Sequence, residues 1–180
     1  DVEKKTQKIQ DRVKSAAVPA AAFLGGLAAG SVAAAKAASE DERAQKILAK
    51  TLENATGATR GQIAATEDWI DKQARATGIA DDELRPALGR LVSATEDVGK
   101  AQELLALGMD VATASGKPLT AVTDALAKAA GGQFGALKRL VPGLSDAAIK
   151  SGDLSKVTQE LSEKMGGSAA AAAETSAGKI

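Results

Sequence analysis

The sequence lacks the residues that most enzymes and many metal sites use. Its 180 residues include no cysteine and no histidine. Without cysteine there is no disulfide and no thiolate metal site. Without histidine there is no imidazole base, no Ser–His or Cys–His pair and none of the usual zinc ligands. We therefore expect a protein that is not an enzyme, with no catalytic residue, no cofactor and no bound metal.

Aromatic residues are almost as scarce, with one tryptophan, two phenylalanines and no tyrosine. A core without large rings must be thin, and the commonest residue in this chain is alanine, which favours helix at little cost in side-chain entropy. These features predict an all-α fold whose helices pack closely through small residues. We expect a long N-terminal helical arm followed by a small bundle of short antiparallel helices.

Neither sign of charge is in excess, since 23 lysines and arginines balance 23 aspartates and glutamates. A protein that binds nucleic acid or an anionic membrane through its charge normally carries a basic surface. The balance predicts no specific nucleic-acid binding.

Residues 1–55 are predicted to form the arm. A track of small and apolar residues runs along them with alternating spacings of four and three, which average to the 3.5-residue repeat of a coiled-coil seam. Two interpretations remain open: self-association, for which a trimer fits the repeat, or ordinary packing against the rest of the chain. Pro19 is expected to break or kink the helix. The proposed seam residues are Ile9, Val13, Phe23, Leu27 and Leu48.

One stretch of the arm, residues 15–35, carries no charge and is long enough to span a bilayer. It is mostly alanine and glycine, so its drive to insert into a membrane is weak. The alternative function is therefore a membrane-active or adaptor protein that inserts or docks through residues 15–35, with transient membrane contact.

The remainder of the chain divides at turn residues. We expect a linker at 56–61, a compact helical module at 62–167, and at 168–180 the start of a further helix that the sequence cuts off. The periodicity of apolar residues selects the core of the module. The proposed core anchors are Trp69, Leu88, Leu104, Val111, Leu126 and Leu161.

The sequence at the centre of the module, residues 104–144, predicts short helices that end at glycines. Gly108 lies inside the apolar stripe of the first helix. A glycine there costs roughly 1 kcal/mol relative to alanine, so we expect it to permit a close helix contact. Gly116 is expected to end that helix and Pro118 to begin the next one.

Three groups of residues resemble functional sites but have simpler interpretations. Asp81-Asp82-Glu83 suits either a cation or a helix N-terminus, and we predict the N-terminal cap of a helix. Glu67, Asp68 and Asp71 share one helical side, and we predict a solvated face rather than an acid–base pair. Gly116-Lys117 is not a phosphate loop, because no serine or threonine follows the lysine and Val111 stands where that loop needs a glycine.

The order of segments from Thr77 onward resembles the tape measure proteins of long-tailed bacteriophages. The similar segments cover about 100 residues of the chain, and it is their combination and order that are specific. They are the ATGI run at 76–79, DDELRPALGRLVSATED at 81–97, AQELLALGMDVATASGKPLTAVTDALAKAAGG at 101–132, FGALKRL at 134–140, PGLS at 142–145, AIKSGDL at 148–154 and GGSAAAAAETSAGKI at 166–180.

The resemblance implies a structural component of the virion. Members of that family run through the lumen of the tail tube, set tail length during assembly in the host cytoplasm, and leave during infection to assist DNA delivery. Implied partners are other copies of the chain and the tail tube and tail tip proteins, and the implied location is the tail lumen or tip. The family has no catalytic residues in this module, so the resemblance assigns none here.

Overall fold

Every regular element in the described part of the chain is an α-helix. The structure, a computed structural model, describes residues 35–177, and this range contains no β-strand. The all-α prediction is confirmed for these residues. Contacts divide the chain into two units, Asp1–Arg43 and Ala44–Ile180. In the first unit, the described residues 35–43 are helical.

The second unit contains the rest of α1 and eight further helices of the described range. Residues 35–56 are helical and are named α1, of which 44–56 belong to this unit. The others are α2 (Arg60–Thr77), α3 (Asp81–Thr95), α4 (Val98–Ser115), α5 (Leu119–Ala130), α6 (Gly135–Leu140), α7 (Asp146–Ser151), α8 (Leu154–Met165) and α9 (Ser168–Ala177).

The connection between α1 and α2 is shorter than the predicted linker at 56–61. Only residues 57–59 lie outside a helix. Thr59 forms a capping box, since its side chain accepts from the Gln62 N–H and the Gln62 side chain accepts from the Thr59 N–H at 2.8 Å. This reciprocal pair starts α2 directly after the turn.

Two predicted helix stops rely on the conformational freedom of glycine. Gly78 and Gly116 follow α2 and α4 with φ values of 70° and 65°. L-residues rarely adopt this left-handed region, and glycine does so without steric cost. After α3 the same position is taken by Glu96, at φ 52°, the one non-glycine residue with positive φ in the described chain.

The core lies where α3, α4 and α5 pack against one another, with α8 and α9 against α4. Arm residues contribute to it as well, because Leu48 and Leu52 of α1 are buried. Residues 44–56 therefore belong to the packed unit and not to a separate arm. Large side chains that are fully buried include Leu84, Leu88, Leu91, Leu105, Met109, Leu126, Leu137 and Leu161.

Five of the six proposed core anchors lie inside this core: Leu88, Leu104, Val111, Leu126 and Leu161. Trp69 is only partly buried and packs against the edge of the core. An indole at the margin of a core can bury its ring while its N–H stays near water.

Leu48, one of the proposed seam residues, is 2 % exposed within its own chain, which agrees with the alternative of packing against the rest of the chain. Its Cδ1 lies 3.8 Å from the position that a Cβ on Gly89 of α3 would occupy. The side chain is therefore used in packing α1 on α3. The other proposed seam residues, Ile9, Val13, Phe23 and Leu27, lie outside the described residues, as do Pro19 and positions 15–34 of the uncharged stretch.

Gly108 marks a close contact between α4 and α5, as its place in the apolar stripe predicts. A Cβ added there would lie 3.2 Å from Leu126 Cδ1 and 3.5 Å from Thr123 Cγ2. Real Cβ atoms seldom approach so closely, so the absent side chain sets the spacing of the two helices.

Candidate functional site

A groove of about 700 Å³ lies between α1, α3 and α5. Its floor is made of small or apolar residues that recur at helical spacing. On α3 these are Pro86, Gly89 and Ser93, and on α1 they include Ala44 and Leu48. Because Gly89 and Ser93 have little or no side chain, α1 and α5 are separated by a trough instead of an interdigitated contact.

Ile47 lies at the edge of this groove. Its side chain is 57 % exposed, and it is the one large hydrophobic residue that is exposed among the residues whose side chains the structure describes. Isolated exposed apolar residues are common on protein surfaces. This one adjoins an apolar groove, and together they form a continuous apolar surface, which is the kind of surface that marks interaction sites.

The walls of the groove carry charges of both signs. Arg90 of α3 and Asp124 of α5 form a salt bridge across it, with 3.3 Å between Arg90 Nε and Asp124 Oδ1. Asp82 on α3 and Lys128 on α5 also line the groove, and neither forms a salt bridge within the described chain. The groove therefore offers one unpaired acid and one unpaired base.

Arg85 also lines the groove, and it holds α2 and α3 together through a buried ion pair. Its side chain is 4 % exposed, with Nε 2.9 Å from Glu67 Oε2 and Nη1 2.7 Å from Asp81 Oδ2. Burial acts to lower the pKa of the Arg85 guanidinium. The hydrogen bond to Glu67 and the attraction of Glu67 and Asp81 outweigh it, so the pKa is raised. Arg85 stays charged, and its place in the fold is structural.

This ion pair corrects the interpretation of Glu67. Helical periodicity predicts that Glu67 lies with Asp68 and Asp71 on a solvated face, but its side chain is only 23 % exposed and it binds Arg85. Asp68 and Asp71 are exposed. The difference arises because α3 crosses α2 at Glu67, a tertiary contact that helical periodicity cannot show.

The acidic cluster at the start of α3 is only partly a cap. The N-cap residue is Ala80, which makes no side-chain cap bond, and Asp81, Asp82 and Glu83 occupy the first helical turn. Carboxylates there interact favourably with the positive end of the helix dipole. In the part of the chain that the structure describes, no group of three or more acidic residues is placed to hold a metal ion.

Two carboxylates organise the C-terminal helices. Asp110 of α4 accepts hydrogen bonds from the N–H groups of Gly167 and Ala169, at 3.0 and 2.9 Å, and so caps α9. Glu160 of α8 accepts from the N–H and the hydroxyl of Ser145, at 2.9 and 2.7 Å, and from Lys164. The hydrogen bonds from Lys164 and Ser145 lower the pKa of Glu160 to about 2.

Sequence reasoning missed Asp110, Glu160 and the groove. No local pattern distinguishes Asp110 from other helical acids, since its partners lie more than fifty residues away in the chain. The groove had a weak signal in the run of small residues Gly89 and Ser93 along one side of α3. Lys117 is an exposed loop residue whose N–H donates to the Ala112 carbonyl at 3.1 Å.

Comparison of the chain with protein-family models, with curated proteins and with solved structures finds no match in any of the three. Within residues 35–177, no helix is both long enough and apolar enough to cross a membrane.

Proposed function

We propose that this chain is a structural helical module of a phage tail tape measure protein. The observation that carries the proposal is the position of the similar segments in the fold. The run at 81–97 comprises all of α3 together with Asp97, which caps α4, and the run at 101–132 comprises most of α4 and all of α5. The segments that resemble the family are thus the segments that build the core.

The glycines within these runs support the same proposal, because each has a structural task. Gly78 and Gly116 end helices in the left-handed conformation, and Gly108 permits the close approach of α4 and α5. A resemblance based on alanine-rich composition alone would not include glycines with such specific positions.

In this proposal the module belongs to a virion, inside the tail lumen or at its tip. It contributes to setting tail length, contacts other copies of itself and the tail tube and tip proteins, and leaves during infection to assist DNA delivery. No catalytic step is assigned to the module.

The decisive experiment starts from the parent reading frame. We expect a longer reading frame with further helical repeats after Ile180, and its product in purified phage particles by mass spectrometry. An in-frame deletion of residues 35–177 should shorten the tails seen by electron microscopy.

The matched control replaces the deleted residues with an unrelated helical sequence of equal length, which should restore tail length. Absence of the protein from particles, or tails of unchanged length after the deletion, would contradict the proposal. Liposome flotation separates the membrane-active alternative, since a chain that inserts through residues 15–35 would float with the vesicles.

A further inference from the structure

Ile47 and the α1/α3/α5 groove lie on the same face of the packed unit. One copy of the chain therefore displays both a projecting apolar side chain and, beside it, a trough with a floor of small residues. In a two-fold dimer the same surface patch occurs on both sides of the interface, so a projection on each copy meets the trough of the other. A surface with both elements is self-complementary.

The charges on the groove walls are also self-complementary. Asp82 and Lys128 are oppositely charged, line the groove and form no salt bridge within the described chain. A two-fold axis that passes between the two side chains would place Asp82 of one copy toward Lys128 of the other, and the reverse pair follows by symmetry. Two attractive pairs would form, which is the charge complementarity that specific interfaces use. The other charges that line the groove are paired within each copy, Arg90 with Asp124 and Arg85 with Glu67 and Asp81.

From these two observations we propose that the groove binds a second copy of this chain. The dimer is two-fold symmetric, each Ile47 is seated over Gly89 and Ser93 of its partner copy, and Asp82 pairs with Lys128 across the interface. Glycine and serine there let the incoming helix approach closely. This surface differs from the seam that the sequence suggested, because it uses Ile47 and not its buried neighbour Leu48.

Sedimentation equilibrium of the full chain tests the dimer. We expect the wild type to dimerise and Ile47→Asp to weaken the dissociation constant at least tenfold, because the substitution puts a charge into an apolar groove. Asn54→Asp is the matched control. Asn54 is an exposed residue of α1 that does not line the groove, so the variant adds the same charge and should dimerise like the wild type.

Charge reversal in trans gives a second test that does not depend on Ile47. Lys128→Glu alone and Asp82→Lys alone each place like charges at both pairs, so each variant should be monomeric at concentrations where the wild type is dimeric. An equimolar mixture of the two should form a heterodimer, because both pairs are then attractive. Circular dichroism and the thermal midpoint of each variant show that it is folded.

Several outcomes would overturn the inference. The inference is wrong if the wild-type chain stays monomeric at high concentration or forms a trimer. It is also wrong if Ile47→Asp and Asn54→Asp weaken the dimer equally. A monomer whose thermal midpoint falls only in Ile47→Asp would mean that another segment of the same chain covers the groove. Failure of the mixture to form heterodimers would refute the two-fold pairing. The inference rests on the contact between copies that the proposed function includes. None of these results bears on tail length, so the tape measure role is tested separately.

Discussion

The central helices α2–α5 and the C-terminal helices α6–α9 are stabilised in different ways. In the central helices, closely packed side chains dominate, and even the main ion pair, Arg85 with Glu67, is largely buried. In the C-terminal helices, carboxylates bind backbone N–H groups at helix ends, as Asp110 and Glu160 do. Helices of six residues, such as α6 and α7, bury little apolar surface and are too short to be stable alone.

The comparison shows how a chain with few large residues can still form a fold. The limited supply of leucine and valine is concentrated in α3, α4 and α5, where it builds one continuous core. The C-terminal helices add side chains such as Leu137 and Leu161 to this core, and carboxylates at their ends accept hydrogen bonds from N–H groups that have no partner within the helix. Breaking the two kinds of contact should therefore have effects of different size.

The largest effect is expected from Arg85→Ala. It removes the cation from a buried pair and leaves the Glu67 carboxylate, 23 % exposed, without its partner. Breaking such a pair costs about 3 kcal/mol in the free energy of unfolding, measurable by urea denaturation. Arg90→Ala is the control, since its salt bridge to Asp124 is exposed and contributes less than about 1 kcal/mol. If Arg85→Ala and Arg90→Ala lower the free energy of unfolding equally, the buried pair does not contribute more to stability than the exposed one.

A second, smaller effect concerns the spacing of α4 and α5. Gly108→Val should lower the free energy of unfolding by about 2 kcal/mol, because added methyl groups meet Leu126 and Thr123 at distances that leave no room. In Gly108→Ala, the gain in helix propensity of about 1 kcal/mol offsets the contact at 3.2 Å.

The matched control for Gly108 is Gly89→Ala in α3. Its Cβ would meet only Leu48 Cδ1, at an ordinary 3.8 Å. This variant should be more stable than the wild type by up to about 1 kcal/mol. If Gly108→Ala stabilises the protein as much as Gly89→Ala does, the space between α4 and α5 can accept a methyl group, and Gly108 does not set the spacing of the two helices.

Asp110→Ala tests how the C-terminal helices are attached. Loss of the two hydrogen bonds to Gly167 and Ala169 should cost about 1 kcal/mol, the usual value for an N-terminal cap. Hydrogen exchange should quicken in α9 while the amides of α3 stay protected. Asp71→Ala, an exposed acid on α2, is the control. Equal loss of protection in α3 and α9 would show that the two regions unfold as one.

The smallest effect is the pH dependence contributed by Glu160. Its pKa falls from 4.5 to about 2 on folding, so the carboxylate stabilises the fold at pH values above about 4.5 and loses that contribution as the pH falls toward 2. The difference in thermal midpoint between the wild type and Glu160→Gln should be constant above about pH 5 and vanish near pH 2. A difference that persists at pH 2 would contradict the assignment.

Much of the local structure could be predicted from the sequence. Glycines that follow apolar periodic runs predict the ends of α2 and α4, and the position of Gly108 within such a run predicts a close helix contact. These features depend on residues within a few positions of one another, so local periodicity and conformational preference are sufficient to find them. The burial of Leu88 and Leu126 follows from the same pattern.

The candidate site could not be predicted in the same way. Leu48 and Ile47 are adjacent apolar residues of one helix, and periodicity placed Leu48 on the proposed seam without deciding whether that seam faces another copy or the rest of the chain. The angle at which α1 meets α3 decides which of them faces the core. That angle depends on contacts between residues more than thirty positions apart, among them the contact of Leu48 with Gly89.

By itself, the sequence determined the helical class, the places where glycine ends a helix, and the exclusion of chemistry that needs histidine or cysteine. Tertiary structure alone decided that Glu67 pairs with Arg85, that Asp110 caps α9, and that a groove opens beside Ile47. The physical reason is distance along the chain. Local preferences act between near neighbours, whereas these contacts exist only after helices distant in sequence have packed together.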